Sequence, residues 1–89
     1  MSTYDGLQQI QRKKRMIELA AMLKEKKKGN MNLLEKIVHK FSIREGVKPE
    51  TGWHYVDSFI KTGLVTFYNG EKRWKYNMDS EWEVFNINV

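Results

Sequence analysis

Residues 47–76 contain the pattern that most constrains the fold of this chain. Pro49 begins a helical pattern, where its missing N–H needs no partner, and Gly63 ends it, where a left-handed residue lets the chain turn. Asn69 and Gly70 then separate two β-prone runs. Asn-Gly is a strong hairpin signal, because both central residues of a type I′ turn have positive φ. The segment is therefore predicted to form a helix, a glycine stop and a tight hairpin.

Two further helices are predicted before this segment. Apolar spacing among strong helix formers predicts a long first helix over residues 7–28, ended by Gly29 and Asn30. Asn32 is predicted as the N-cap of the second helix, because Glu35 follows three residues later. Residues 41–47 are predicted as a turn or a ragged helix end broken by glycine.

The third helix is predicted to be amphipathic, with Gly52 where it crosses the second helix. Its apolar side carries Tyr55, Val56, Phe59 and Ile60. The hairpin strands are predicted at residues 64–68 and 71–76, and residues 82–89 alternate as a third or edge strand would. The fold class is therefore predicted to be α+β, with three helices, a β-hairpin and an extra C-terminal strand.

Composition narrows the classes of protein further. A chain of 89 residues fits one domain, and its net charge of +5 with a pI of about 9.5 favours an anionic partner such as nucleic acid. The sequence has no cysteine, so disulfide and zinc-thiolate scaffolds are excluded. No apolar run approaches the roughly 20 residues that a membrane helix needs. We expect a cytoplasmic protein with no membrane partner.

The order of these elements, with Thr62-Gly63-Leu64-Val65 before a basic hairpin, resembles the winged helix-turn-helix family. The resemblance covers about residues 13–77 and is nearest to small archaeal and archaeal-virus members. It implies one domain with an N-terminal helical extension at residues 1–12 and a C-terminal strand extension at residues 78–89. One departure is the predicted turn over residues 41–47, which exceeds the 3–4 residues of a simple helix-turn-helix.

The resemblance implies double-stranded DNA as partner, with the third helix in the major groove and the hairpin wing on phosphates or the minor groove. The implied contacts are Lys48, Thr51, Trp53, His54 and Lys61 on the helix, and Lys72, Arg73 and Lys75 on the wing. The alternative is an ordinary solvated helix face and charged hairpin. Glu50 and Asp57 lie on the same helix face, and the arginine and amide side chains that read bases are missing there, which predicts weak sequence readout. For Trp53 we expect one of three roles: contact with a thymine methyl group or a sugar, cover over the end of the second helix, or burial in a subunit interface.

The first helix carries a separate run of cations, Arg12, Lys13, Lys14 and Arg15. This run is either a phosphate contact or a solvated helix face. The apolar residues Leu7, Ile10, Phe85, Ile87 and Val89 lie outside the common core and predict a homodimer interface.

Catalysis is not expected, because the chain has no nucleophile elbow, P-loop or dinucleotide motif, and no metal site or cofactor is predicted. The favoured function is a DNA-binding transcription regulator. The alternative is a protein-interaction winged helix that serves as a subunit of a replication, transcription or other multiprotein assembly.

Overall fold

The computed structural model describes residues 3–81, with side chains from residue 10 onward. In this part of the chain the fold is α+β, with three α-helices and one antiparallel sheet of three strands in the order β1-β3-β2. The elements are α1 (Thr3–Lys26), β1 (Lys28–Asn30), α2 (Met31–Glu45), α3 (Pro49–Thr62), β2 (Val65–Tyr68), β3 (Arg73–Tyr76) and a 3₁₀ turn (Met78–Ser80). The strand between the first two helices therefore lies beside the C-terminal hairpin.

One core joins the helices to the inner face of the sheet. Phe41 of α2 meets Tyr55 of α3 edge to face, with ring centroids 6.0 Å apart, and Trp74 of β3 is fully buried. Such aromatic pairs add stability beyond the area that they bury. The other fully buried large side chains are Leu19, Leu23, Leu34, Val38, Val56, Phe59, Leu64 and Val65.

The predicted crossing of α2 and α3 at Gly52 is confirmed. A β-carbon at this position would lie 2.9 Å from Cγ1 of Val38 and 3.4 Å from Cδ2 of Phe41. Glycine is required there because the first distance is shorter than packed carbon atoms accept. The two helices can therefore approach each other more closely than any larger residue at position 52 would allow.

The predicted end of the first helix is wrong. Helix α1 ends at Lys26, and Lys27 has a φ of 71°, in the left-handed region. The N–H of Lys27 donates to the carbonyl of Leu23 at 2.9 Å, and its own carbonyl accepts from the N–H of Tyr76 at 2.7 Å. Pairing with β3 thus draws residues 28–30, which were predicted to finish a helix, into strand β1.

The N-cap of α2 also differs from the prediction. Asn30 caps the helix, because its Oδ1 accepts from the N–H of Leu33 at 2.9 Å, and Asn32 lies inside the first turn. Either asparagine suits an N-cap by residue type. The strand that ends at Asn30 decides which of the two takes this role.

The predicted turn over residues 41–47 is mostly helix. Helix α2 continues to Glu45, and Gly46 ends it with a φ of 67°. The connection to α3 is therefore only residues 46–48. Buried Ser42 fixes this connection to the end of α2, because its backbone carbonyl accepts from the N–H of Val47 at 3.0 Å and its hydroxyl donates to the carbonyl of Val47.

The hairpin forms, but its loop has four residues rather than the two predicted. Tyr68 pairs with Arg73, and positive φ angles occur at Asn69 (56°), Gly70 (66°) and also Glu71 (63°). A two-residue Asn-Gly turn would pair Tyr68 with Glu71 and bring Lys72 opposite Phe67 on the inner face. The observed register instead pairs Phe67 with Trp74 and Val65 with Tyr76, so hydrophobic burial outweighs the local turn preference.

The C-terminal extension begins as a 3₁₀ turn at Met78–Ser80 rather than as a strand. Glu81 follows, and its carboxylate forms an ion pair with Nζ of Lys24 at 3.1 Å, which connects this turn to α1. The strand predicted at residues 82–89, with Phe85, Ile87 and Val89 of the predicted dimer interface, lies outside the described residues.

Candidate nucleic-acid interface

The predicted contact residues of α3 differ in their exposure. Lys48, His54 and Lys61 are exposed, whereas Thr51 and Trp53 are half-buried. Trp53 packs against the hydrophobic core, so only part of its indole is available to a partner. Pro49 begins the helix and Gly63 ends it with a φ of 85°, both as predicted.

The positive charge on α3 is largely balanced on the helix itself. Nζ of Lys61 lies 3.0 Å from the carboxylate of Asp57, one turn away. Glu50 adds a second exposed carboxylate in the first turn. The ion pair is solvent-exposed and therefore weak, but it leaves Lys48 and His54 as the basic side chains of this surface that form no ion pair within the described residues. Helix α3 alone offers a weak field for an anion.

The sheet presents a different surface. Residues of β3 alternate between exposed Arg73 and Lys75 and buried Trp74 and Tyr76. The same alternation in β1 and β2 defines what we call the outer sheet face: Lys28, Asn30, Thr66, Tyr68, Arg73 and Lys75, all exposed. The register arranges this face in two rows across the three strands, Lys28–Lys75–Thr66 and Asn30–Arg73–Tyr68.

The positive charge of the outer sheet face is not balanced within it. Lys28 is directly opposite Lys75, and Arg73 occupies the diagonal position from Lys28. Directly opposite side chains have Cβ atoms about 5 Å apart and diagonal ones about 7–8 Å, so these three cations repel one another. None of the six described residues of this face is acidic. The sheet therefore offers a stronger site for an anion than α3 does.

The predicted wing cations separate in the structure. Arg73 and Lys75 belong to the outer sheet face, whereas Lys72 lies in the hairpin loop beside Glu71, where both are exposed. Sequence reasoning missed Lys28, Asn30, Thr66 and Tyr68 as surface partners of these cations. Because Thr66 and Tyr68 alternate with apolar residues, the sequence pattern alone could have placed them on the exposed face of a strand. No sequence pattern indicated a strand at Lys28, because this residue follows a run of helix-forming lysines.

The Arg12–Arg15 run lies on α1, with Arg12, Lys13 and Lys14 exposed and Arg15 half-buried. Consecutive residues of an α-helix point about 100° apart because a turn takes 3.6 residues. The four side chains are therefore spread around the helix and cannot all contact one surface. At most two of them, such as Arg12 and Arg15, share a face.

A second feature is an open groove along α2. It has a volume of about 670 Å³ and is lined by Lys26, Asn32, Leu33, Glu35, Lys36, Ile37, His39, Lys40 and Ile43. Ile43 is 84% exposed, the largest exposed fraction among the large hydrophobic side chains that the structure describes. Lys40 also lines a second groove with Met22 and Glu25 of α1, which places it on the α1 side of α2.

Other kinds of site find no support in the described part of the chain. No group of three His, Cys, Asp or Glu side chains there is placed to hold a metal ion. None of the described helices is both long and apolar enough to cross a membrane. Comparison with known proteins gave no match to this chain among family models, curated proteins or solved structures.

Proposed function

We propose that this chain is a winged helix-turn-helix protein that binds double-stranded DNA and regulates transcription. The observation that carries the proposal is the net positive charge of the hairpin β2–β3, the wing, which follows α3 after only Gly63 and Leu64 and carries Lys72, Arg73 and Lys75 against one carboxylate, Glu71. The three-residue connection between α2 and α3 adds support, since it matches the short turn of a helix-turn-helix. Three helices followed by a hairpin are compatible with the winged-helix arrangement.

In this proposal the first half of α3 enters the major groove. Lys48 and His54 are exposed there, and Thr51 lies between them on the helix. The wing contributes Lys72 from its loop and Arg73 and Lys75 from its central strand. Lys61 is a weaker contact, because the carboxylate of Asp57 lies 3.0 Å from its Nζ and reduces the net charge there.

Phosphate contacts dominate binding in this proposal, and base reading is weak. Bidentate base contacts come mainly from Arg, Asn and Gln side chains, and α3 contains none of them. Cations that contact phosphate fix the orientation of a protein on DNA without selecting a sequence. We therefore expect similar affinities for duplexes of unrelated sequence.

The salt dependence of duplex binding tests the proposal. About five phosphate contacts predict a slope of log K against log salt near −4 to −5, because each contributes roughly −0.9. Replacing Lys72 and Arg73 with Ala should weaken every duplex about equally and make the slope less steep by about 2 units. The matched control is Lys40→Ala, which removes an exposed cation on the α1 side of α2 and should leave the slope nearly unchanged. Absence of duplex binding at low salt, or salt-insensitive binding, would overturn the proposal.

The second candidate function is a protein-interaction winged helix within a replication, transcription or other multiprotein assembly. The observation that favours it is the open groove along α2 with its strongly exposed Ile43. Exposed apolar surface of this kind is typical of protein contacts. This candidate predicts that Ile43→Asp abolishes a partner interaction while the wing variants leave it intact.

A homodimer remains part of the proposal for DNA binding. Ile10, one of the five predicted interface residues, is 66% exposed on α1. The side chains of the other four lie outside the described part of the chain. Two-fold pairing would double the DNA contacts of a single short recognition helix.

A further inference from the structure

Four of the six residues of the outer sheet face have no part in duplex binding through α3 and the wing. That mode uses Arg73 and Lys75, but it gives no role to Lys28 of the edge strand β1 or to Tyr68 of β2. Tyr68 is 38% exposed and is the one aromatic side chain among the six described residues of this face. It lies directly opposite Arg73.

The face is not arranged for the stability of the fold alone. Lys28 and Lys75 are paired directly across two strands, and like charges in such positions destabilise a sheet. Either position could carry a carboxylate, which would turn repulsion into attraction. A polyanion bound across the face would neutralise Lys28, Arg73 and Lys75 together.

The two polar residues of the face are already engaged by the fold. Asn30 caps α2 through its Oδ1, and Oγ1 of Thr66 accepts from Nδ2 of Asn77 at 2.7 Å. These contacts fix one end of each row. The side chains that remain for a ligand are three cations and one tyrosine ring.

Cations beside an exposed aromatic ring suit an unpaired nucleic acid strand. Phosphates of the strand follow the positive charges, and a base stacks on the aromatic ring. In a duplex the faces of the bases are covered by their neighbours, so the ring of Tyr68 could reach only base edges. An unpaired strand exposes the base faces and satisfies both kinds of side chain at once.

We propose that the outer sheet face binds unpaired DNA, with Tyr68 stacking on a base and Lys28, Arg73 and Lys75 contacting phosphates. This site goes beyond the proposed duplex contact. It shares Arg73 and Lys75 with the wing, but it does not require α3. Lys28 and Tyr68 distinguish the two modes, because neither belongs to the duplex contact.

The test is fluorescence anisotropy with labelled oligothymidine of about ten nucleotides, within the site sizes of single-strand-binding domains. Tyr68→Ala should weaken binding about 5-fold to 150-fold, the range found when a stacking side chain is removed. Tyr68→Phe keeps the ring and should retain most of the affinity. If Tyr68→Ala binds oligothymidine as tightly as the unaltered protein, the proposal is overturned.

Lys28→Glu separates a binding role from a structural one. The variant should bind oligothymidine about tenfold more weakly, because a charged contact to phosphate is lost. Its melting temperature should rise, because Glu opposite Lys75 replaces a repulsive pair with an attractive one. Lys40→Glu makes the same change in net charge on the α1 side of α2 and serves as the control. Equal weakening by both variants would show a general charge effect and overturn the site.

The proposal of duplex binding can be tested independently of the single-strand site on the outer sheet face. Lys48→Ala and His54→Ala should weaken duplex binding and leave oligothymidine binding unchanged. If duplex binding is absent while oligothymidine binding still depends on Tyr68 and Lys28, the sheet site stands and the assignment of α3 falls. Much tighter binding of oligouridine than of oligothymidine would overturn the assignment of the site to DNA.

Discussion

The two faces of the sheet come from the same strands but have opposite properties. On the inner face Trp74 is fully buried between Gly29 and Phe67, and its Nε1 donates to the carbonyl of Asn30 at 3.0 Å. One residue further along β3, Lys75 is exposed opposite Lys28. Alternate residues of β3 thus serve packing and surface charge in turn. The register of the hairpin decides which residue has which role.

The largest expected effect comes from breaking the inner face. Trp74→Ala should destabilise the protein by about 3–5 kcal/mol, because it removes a large buried ring and leaves a cavity. That loss is comparable with the whole stability of many small domains, so much of the chain should be unfolded. Lys75→Ala, the next residue on the outer face, should change stability by less than about 0.5 kcal/mol. Urea denaturation of both variants measures the contrast, and similar losses would mean that the faces are wrongly assigned.

The hairpin loop maintains the register that separates the faces. Gly70→Val should cost about 1–2 kcal/mol, because a β-branched residue is strained at a φ of 66°. No neighbouring atom lies within 4 Å of the added β-carbon, so the cost comes from the backbone alone. Glu71→Gly removes the backbone strain of a non-glycine residue at a φ of 63° and should stabilise the protein slightly. Thermal melts of the pair should shift in opposite directions, and a loss of stability in both would contradict the four-residue loop.

The smallest effect concerns Tyr76, an inner-face residue that carries an ionisable group. Burial, together with the nearby carboxylate of Glu81, raises the pKa of Tyr76 above its ordinary value of 10.0. Above pH 10 the unfolded chain therefore loses the tyrosine proton while the folded chain keeps it, so stability falls as pH rises. By pH 11 this contributes up to about 1.4 kcal/mol of destabilisation.

The Tyr76→Phe variant should not lose this part of its folding stability at alkaline pH. The measurement is the difference in unfolding free energy between the two proteins at pH 9 and pH 11, which cancels the titration of the shared lysines and the other tyrosines. A difference that does not change with pH would show that Tyr76 titrates normally.

Parts of the fold with local causes were predicted from the sequence. Pro49 begins α3 and Gly63 ends it, as expected, since the backbone preferences of these two residues do not depend on their surroundings. Gly52 was correctly placed at the helix crossing, because a glycine inside an amphipathic helix indicates a close approach. Gly70 has the positive φ that its turn required.

Three of the errors share one cause, which is pairing between strands. Residues 28–30 follow a lysine-rich helix and have no strand signal of their own, yet hydrogen bonding to β3 makes them a strand. The same pairing moved the cap of α2 from Asn32 to Asn30. Packing of Phe67 against Trp74 overrode the turn preference of Asn69-Gly70 and lengthened the loop. Local propensities of a few tenths of a kcal/mol cannot compete with burial of an aromatic side chain.

The sequence by itself determined three helices, a hairpin and an excess of positive charge in one compact chain. These follow from periodicity, from caps and turns, and from composition, all of which act over a few residues. Only the tertiary structure decided where that charge is concentrated. It brought Lys28 opposite Lys75 on the sheet, whereas the pair of Asp57 and Lys61 on α3 follows from their i,i+4 spacing in the sequence. Charges interact through space, so their balance depends on which distant strands become neighbours, and no local pattern records that.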